Sequence, residues 1–396
     1  MTSPSMTPLG RLMREGGGSI DPSKFPAETF ELYSIPSFDR GEPEEVPGST
    51  IGSAKQVVEP GDVLLSKIVP HIRRAWVVGR RNGHRQIASG EWIVFRNREI
   101  VPTYLRHLLT ADFFHRQFMQ TVAGVGGSLL RARPQQVARI EIPLPDEDEQ
   151  ERIAAILDKA DAIRRKRRQA LAEINVLLRA TFLDMFGDPA TNPKSFDVEP
   201  VQRVLSRDRA GTQSGPFGAA LKKNELVARG IPVWGIENVE HNSFNPTMRL
   251  FITPEKFAEL ERYDVRDGDV LISRAGTVGR MCIARPPVAR SVLSTNLVRV
   301  SLDHSKMLPE YFVTLFTSFP DRLSRLRANK KDNAFSFLNP GTLKVLDIPQ
   351  PGINLQIDFA KRVKAIDRTK QMRLQAIVQA DELFGALSQR AFRGEL

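Results

Sequence analysis

The stretch Arg139-Ile140-Glu141-Ile142-Pro143-Leu144-Pro145 returns as Val345-Leu346-Asp347-Ile348-Pro349-Gln350-Pro351, about 206 residues further on. Each copy alternates and ends on proline, as a closing β-strand does. Each then runs through Gln150 or Gln356 into a long, charged segment with an apolar stripe. Upstream, Glu59-Pro60-Gly61-Asp62-Val63-Leu64-Leu65-Ser66-Lys67 is echoed by Arg266-Asp267-Gly268-Asp269-Val270-Leu271-Ile272-Ser273-Arg274. Between these anchors Pro102-Thr103-Tyr104-Leu105 matches Pro309-Glu310-Tyr311-Phe312, and Pro134 and Val137 match Pro340 and Leu343. The order is the same in both halves. A chain built as two copies of one globule plus one helix binds two related things, or one thing at two places.

The expected division is a first globule over 1–145, a helix over 146–187, a second globule over 188–351 and a helix over 352–396. The fold class is α+β: two mixed α/β globules, each followed by a long helix. In the first globule Val57-Val58, Val63 to Leu65 and Trp92 to Phe95 read as strands, and Pro102 to Met119 reads as one helix. The second repeats this with Pro232 to Ile236, Asp269 to Ile272 and Leu297 to Val300 as strands and Leu308 to Leu326 as helix. Asp146-Glu147-Asp148-Glu149 puts acids where a helix dipole favours them. The following run, free of Pro and Gly to 186, makes a helix of roughly 60 Å at 1.5 Å per residue. Matching stripes in the two helices predict an antiparallel coiled coil. Such a seam buries little, so helices from a partner are expected to cover the rest. Ile153, Leu157, Ile174, Leu178, Val363, Ile366, Ile377 and Phe384 are the candidate subunit-interface residues.

Composition points to a polyanion. The 396 residues carry 57 Lys and Arg against 46 Asp and Glu, a formal +11, and basic side chains gain by releasing counterions from phosphates. The one cysteine, Cys282, excludes a disulfide framework and a cysteine zinc cluster. No apolar run approaches the roughly 18 residues of a membrane span, and 1–19 lacks a secretory core. The expectation is a soluble, cytoplasmic, non-membrane protein.

Catalytic motifs are missing. There is no Gly-Lys phosphate loop, no His-Glu-x-x-His, no Asn/Asp-Pro-Pro-aromatic element, and the six histidines lack metal-ligand spacing. The acidic pair Glu59 and Asp62 near Lys67 has a loose nuclease look, but the repetition of Asp62 at Asp269 in a Gly-Asp-Val turn favours turn capping. The chain therefore binds and does not catalyse, with no metal and no cofactor of its own.

The binding candidates are loops beside strands. Gly215, Phe217 and Gly218 form a glycine-rich turn with a cationic exit at Lys222 and Lys223, suited to backbone approach to phosphate. Arg274, Thr277 and Arg280 follow one repeated strand; Lys67, His71, Arg73 and Arg74 follow the other. Ser128 and Arg131 match Lys330, Lys331 and Asn333 before the closing strands. Arg and Asn read guanine and adenine edges; Arg274 and Arg73 are the expected base readers. Arg164 to Arg168, mid-helix, is read as a solvated face or a seam with a partner's acids ahead of a DNA contact.

Over its whole length the chain resembles the specificity subunit of type I restriction-modification systems. The carriers are the closing Ile-Pro-x-Pro with Gln150 and Gln356, Gly215-Pro216-Phe217-Gly218 with Leu221-Lys222, and the terminal Ala391-Phe392-Arg393-Gly394-Glu395-Leu396. Tyr33-Ser34-Ile35-Pro36 and Ser66-Lys67-Ile68 with Arg73 and Trp76 also look like one class of recognition domain. The first half has no Gly-Pro-Phe-Gly, so the two domains should read different half-sites. The resemblance implies a double-stranded DNA reader with two target-recognition domains, each binding half of a bipartite, asymmetric site. The helices would set the gap and dock two methyltransferase subunits. Two nuclease/translocase subunits would join for restriction. S-adenosylmethionine, ATP and Mg would be bound by those partners. From another class, the alternative is a non-catalytic coiled-coil scaffold whose globules bind protein partners.

Overall fold

The computed structural model describes residues 5–16, 18–124, 130–216, 220–274, 278–320 and 340–396. It divides into two compact units, 1–169 with 374–396, and 170–373. Two helices, Glu147–Phe186 and Ile353–Arg393, each serve both units. Asp146 caps the first helix by accepting the Glu149 N–H at 2.9 Å, and Glu147, Asp148 and Glu149 fill its first turn. Both helices stop on a left-handed glycine, Gly187 at φ 77 and Gly394 at φ 72.

In the first unit Glu141–Leu144 pairs antiparallel with the N-terminal strand Ser5–Pro8. A three-stranded antiparallel sheet sets Val63–Ser66 between Ala75–Val77 and Trp92–Phe95. A five-stranded sheet runs Ser19–Ile20, Lys55–Val57, Arg85–Ala88, Thr29–Tyr33, Glu44–Pro47, with Thr29–Tyr33 parallel to Arg85–Ala88. Leu9, Leu12, Val63, Leu65, Leu105, Leu108, Phe114, Ile142, Ile153, Leu157 and Phe392 share one core. The expected helix from Pro102 to Met119 is two, Pro102–Thr110 and Asp112–Gln120. Ala111 between them is extended at ψ 151, and Arg73 donates to the Thr110 carbonyl at 3.1 Å and to Asp112 at 2.5 Å. A cation on the last carbonyls of one helix and the first acid of the next stabilises both ends.

The second unit has the corresponding parts. Asp347–Gln350 pairs antiparallel with Asp197–Pro200. Val270–Ser273 lies between Met281–Ile283 and Leu297–Val300, with Thr212–Ser214 at the edge. Ile231–Trp234 pairs with Leu250–Ile252 and, in parallel, with Val292–Leu293. Helix Pro309–Ser318 occupies the place of Pro102–Thr110. The rest of the helix expected to Leu326 lies outside the described residues. Phe182 and Phe186 pack on Tyr311 and Phe359 with ring centroids 4.7–5.6 Å apart.

Shared polar joints underlie the repeat. Buried Gln150 accepts from Val101 N–H at 2.8 Å and donates to the carbonyls of Glu99 and Pro145 at 3.0 and 2.9 Å. Gln356 accepts from Leu308 N–H at 2.8 Å and donates to Lys306 and Pro351 at 2.9 and 2.8 Å. Tyr104 and Tyr311 donate to Pro143 and Pro349 at 2.9 and 3.0 Å. Asp62 accepts the Glu59 N–H at 2.9 Å and grips Arg96 with both oxygens at 2.7 Å. Asp269 accepts the Arg266 N–H at 2.7 Å and the Ser301 hydroxyl at 2.6 Å. Both aspartates therefore cap turns.

Within each unit the long-helix segments run antiparallel. In the first, Arg152 reaches the Leu396 carbonyl while Arg164 and Arg168 pair with Asp381. In the second, Phe182 meets Phe359 and Arg373 donates to the Ala170 carbonyl. Arginines thus fill the interruptions of the apolar stripe. The acids facing Arg164 to Arg168 belong to this chain, Asp161 and Asp381. Burial pushes the Asp381 carboxyl up, but hydrogen bonds from Arg164 and Arg168 outweigh it and hold it below the usual carboxylate range.

His107 makes a pH-sensitive joint in the first unit. It is 4% exposed, with Nε2 2.8 Å from Asp158 and 2.9 Å from Arg106. Burial first, then the Arg106 charge, lower its pKa from 6.5 despite Asp158. Its folded value lies below its unfolded one, so its contribution is full above about pH 6.5 and fades as pH falls through the folded value. His107→Gln should therefore show a shallower loss of thermal stability between about pH 6.5 and 5 than the parent. Parallel melting curves for the two across that range would refute this.

Candidate nucleic-acid interface

The two repeated strands deliver one cation each to the same position. Lys67 follows Val63–Ser66, its N–H bonded to the Glu91 carbonyl at 3.0 Å and its carbonyl to Ala132 N–H at 2.8 Å. Arg274 follows Val270–Ser273, its N–H bonded to the Asn296 carbonyl at 2.8 Å. Both are half-buried at the base. Arg131 sits next to Lys67, across an isolated bridge between Ile68 and Arg131, and its side chain reaches Glu91 at 3.1 Å. His71 is exposed.

Arg73 and Arg74 are held by acids. Arg73 ties the two helices as described. Arg74 is 8% exposed, with Nε and a terminal nitrogen each 2.8 Å from Asp39. A fork-to-fork pair of this kind fixes a guanidinium in place.

In the second unit Gly215 and Arg274 meet at one strand start, since Gly215 N–H donates to the Leu297 carbonyl at 2.9 Å beside Asn296. Arg280 is exposed and donates its N–H to the Ser273 hydroxyl at 3.0 Å. Lys222 and Lys223 are exposed at a separate 3₁₀ turn, Lys223–Glu225, whose Glu225 is held by Lys256 at 2.9 Å. Ser128, Phe217, Gly218, Thr277, Lys330, Lys331 and Asn333 lie outside the described residues.

Gly215 has a steric reason to be glycine. A Cβ there would fall 1.8 Å from the Ser294 carbonyl oxygen and 2.6 Å from its carbon, both backbone. Gly215→Ala should therefore destabilise the second unit by about 1–3 kcal/mol. Thermal melting checks this; unchanged melting would show that the backbone yields freely.

The sequence reading passed over Arg80 and Arg81, which are exposed in the connection from Ala75–Val77 to Arg85–Ala88. The Gly79-Arg80-Arg81-Asn82-Gly83 turn was the available signal, and Arg285 and Arg290 occupy the corresponding connection in the second unit. Among the described residues no cluster of His, Cys, Asp or Glu is placed to hold a metal. Cys282 is fully buried, and burial pushes its thiol up to about 12. No described helix is long and apolar enough to cross a membrane.

The candidate interface residues on the helices are largely covered by the chain itself. Ile153, Leu157 and Phe384 pack into the core of the first unit. Leu178, Val363 and Ile366 pack into that of the second. Ile174 is buried and Ile377 half-buried. The helix residues that expose apolar surface are others, with Val176 69%, Met372 66% and Leu383 59% exposed.

No family model matches the chain. Over 149 residues, 37% of its length, it is 27% identical to the Type I restriction enzyme EcoBI specificity subunit of Escherichia coli, and the match spans 31% of that relative. A chain in a structure concerned with complex assembly and conformational transition of the type I restriction-modification system matches all of it at TM-score 0.60 and 20% identity, over 98% of its own length. The type I restriction-modification S subunit of M. genitalium matches 98% at TM-score 0.53 and 12% identity, over 96% of its length. The chain is thus similar in sequence to a type I specificity subunit over part of its length and shares, nearly from end to end, the fold of an S subunit and of a chain of a type I restriction-modification system.

Proposed function

We propose that this chain is the DNA-reading, non-catalytic specificity subunit of a type I restriction-modification complex in the cytoplasm. Each globule contacts one half of a bipartite, asymmetric site, and the helices set the interval between halves. The observation that carries the reading is the duplicated strand end that presents Lys67 in one unit and Arg274 in the other. Two readers with like scaffolds and unlike loops suit two unlike half-sites. Lys67, His71 and Arg131 in the first globule and Gly215, Lys222, Lys223, Arg274 and Arg280 in the second form the contact set. Arg73 and Arg74 would have to release Asp112 and Asp39 to join it. Two methyltransferase subunits dock on exposed helix surface that includes Val176, Met372 and Leu383, since uncovered apolar patches mark partner sites. S-adenosylmethionine, and the ATP and Mg used by two nuclease/translocase subunits, bind to those partners.

Mobility-shift titrations at several salt concentrations test DNA binding by the chain with its partners. A DNA reader loses affinity with a log–log slope of about −0.9 per phosphate neutralised. Binding that is flat in salt, or no binding, would favour a protein scaffold.

A further inference from the structure

The first unit holds a cleft of about 1030 Å³ that the DNA reading does not use. One wall comes from Ala75–Val77 and the helices Pro102–Thr110 and Asp112–Gln120, the other from the two long-helix segments. Seven arginines line it against three aspartates. All three aspartates are already engaged, Asp381 by Arg164 and Arg168, Asp112 by Arg73 and Asp161 by Arg164 and Arg165. Arg165 is 62% exposed and reaches only Asp161, at 3.4 Å. Arg116 and Arg393 are exposed, with no carboxylate at ion-pair distance among the described residues. Trp76, Phe113 and Phe384 add half-buried aromatic wall, and Arg164 lies 4.2 Å over the Phe384 ring.

The second unit has a cleft in the corresponding place, between strand Met281–Ile283, helix Pro309–Ser318 and its own long-helix segments. It measures about 290 Å³, and its cations Arg285, Lys364 and Lys370 face Glu310 and Asp367. The arginine surplus therefore belongs to one unit. An occupant common to both halves would not need it.

Charge and shape together select the occupant. Arginine meets carboxylate through a planar, two-pronged hydrogen bond, and arginine with aromatic side chains is the composition that protein interfaces concentrate at their centres. A phosphate backbone would use the arginines and make no use of the half-buried aromatic wall. The volume sits at the upper end of the roughly 300–1,000 Å³ of ligand pockets, room for a short chain segment and not for a duplex. Three aspartates repel a compact polyphosphate but leave spaced carboxylates room to alternate with apolar side chains.

We propose that this cleft is the receptor for an acidic segment of a protein partner, with carboxylates spaced by apolar side chains, and that only the first unit carries it. The inference stands whether or not the globules read DNA.

The test titrates a fluorescein-labelled synthetic peptide of glutamates interspersed with leucine and phenylalanine against the full chain, by anisotropy. Saturable binding is expected, at least tenfold weaker when glutamine replaces the glutamates. The exposed double variant Arg116→Glu with Arg165→Glu should lose at least tenfold, and so should Arg393→Glu, with unchanged circular dichroism. Lys364→Glu, in the second unit's cleft, should bind as the parent does. No saturable binding, equal binding of the glutamine peptide, or equal loss in Lys364→Glu would overturn the proposal. Displacement of the peptide by duplex DNA, with the cleft variants losing the duplex too, would assign the cleft to nucleic acid instead. Shift assays on the same variants keep the two readings apart, because loss of duplex binding by the parent chain leaves the peptide result untouched.

Discussion

Gln356→Leu should destabilise the second unit by about 3 kcal/mol or more, the sum expected when one buried change orphans three backbone groups at about 1–3 kcal/mol each. The side chain is fully buried and ties the start of the second long helix to the approach of Pro309–Ser318, through Leu308 N–H and the Lys306 and Pro351 carbonyls. Leucine fills the space but supplies neither donor nor acceptor. Gln150→Leu should do the same to the first unit through Val101, Glu99 and Pro145. Gln356→Glu keeps the shape but turns a buried carboxylate oxygen onto the Lys306 and Pro351 carbonyls, so it should destabilise at least as much as leucine at neutral pH. Chemical denaturation of each variant measures the effect; shifts below about 0.5 kcal/mol, the range of ordinary surface changes, would mean that water replaces the glutamine.

Arg274→Ala should cost about 1–3 kcal/mol of DNA binding and relax one half of the recognition sequence, if its guanidinium reads a base edge. That is a five- to more than hundredfold loss at about 1.4 kcal/mol per decade. Lys222→Ala and Lys223→Ala should weaken every sequence alike, each reducing the salt slope by about one, as phosphate contacts do. Lys67→Ala should act on the other half-site. Arg74→Ala should register in melting temperature before it registers in binding, because it strips Asp39 of its partner. Selection of binding sites from a random duplex pool by each variant separates these outcomes. Arg274→Ala relaxing both halves at once would contradict the assignment of one reader to each half.

The repeat was legible because its buried joints demand particular residues. The tyrosine that meets the closing strand and the glutamine after it make the same bonds in both units, and the aspartate of the Gly-Asp turn accepts the corresponding N–H in each. The partner strands Ser5–Pro8 and Asp197–Pro200, with the 3₁₀ turns Leu9–Leu12 and Val201–Val204 that follow them, were less legible. Pro8-Leu9-Gly10-Arg11-Leu12 matches Pro200-Val201-Gln202-Arg203-Val204 at an offset of about 192, outside the spacing near 206 that the other anchors share. All four leucines and valines there are fully buried. Ala111 gave no sign of breaking a helix, because the break depends on Arg73, a residue 38 positions away. For the same reason Asp39 could not be foreseen as the partner of Arg74. Stripe periodicity told which helix residues are buried, at Leu157 and Val363 for example, but not that the chain's own globules cover them.

Mapping methylated bases across the source genome with and without this gene tests most directly whether the two globules read the two halves of one DNA site. Deletion should remove methylation from a single motif made of two unlike half-sequences at a fixed gap, and Arg274→Ala should blur one half only. An unchanged methylation map on deletion, or loss of a single uninterrupted motif, would contradict this.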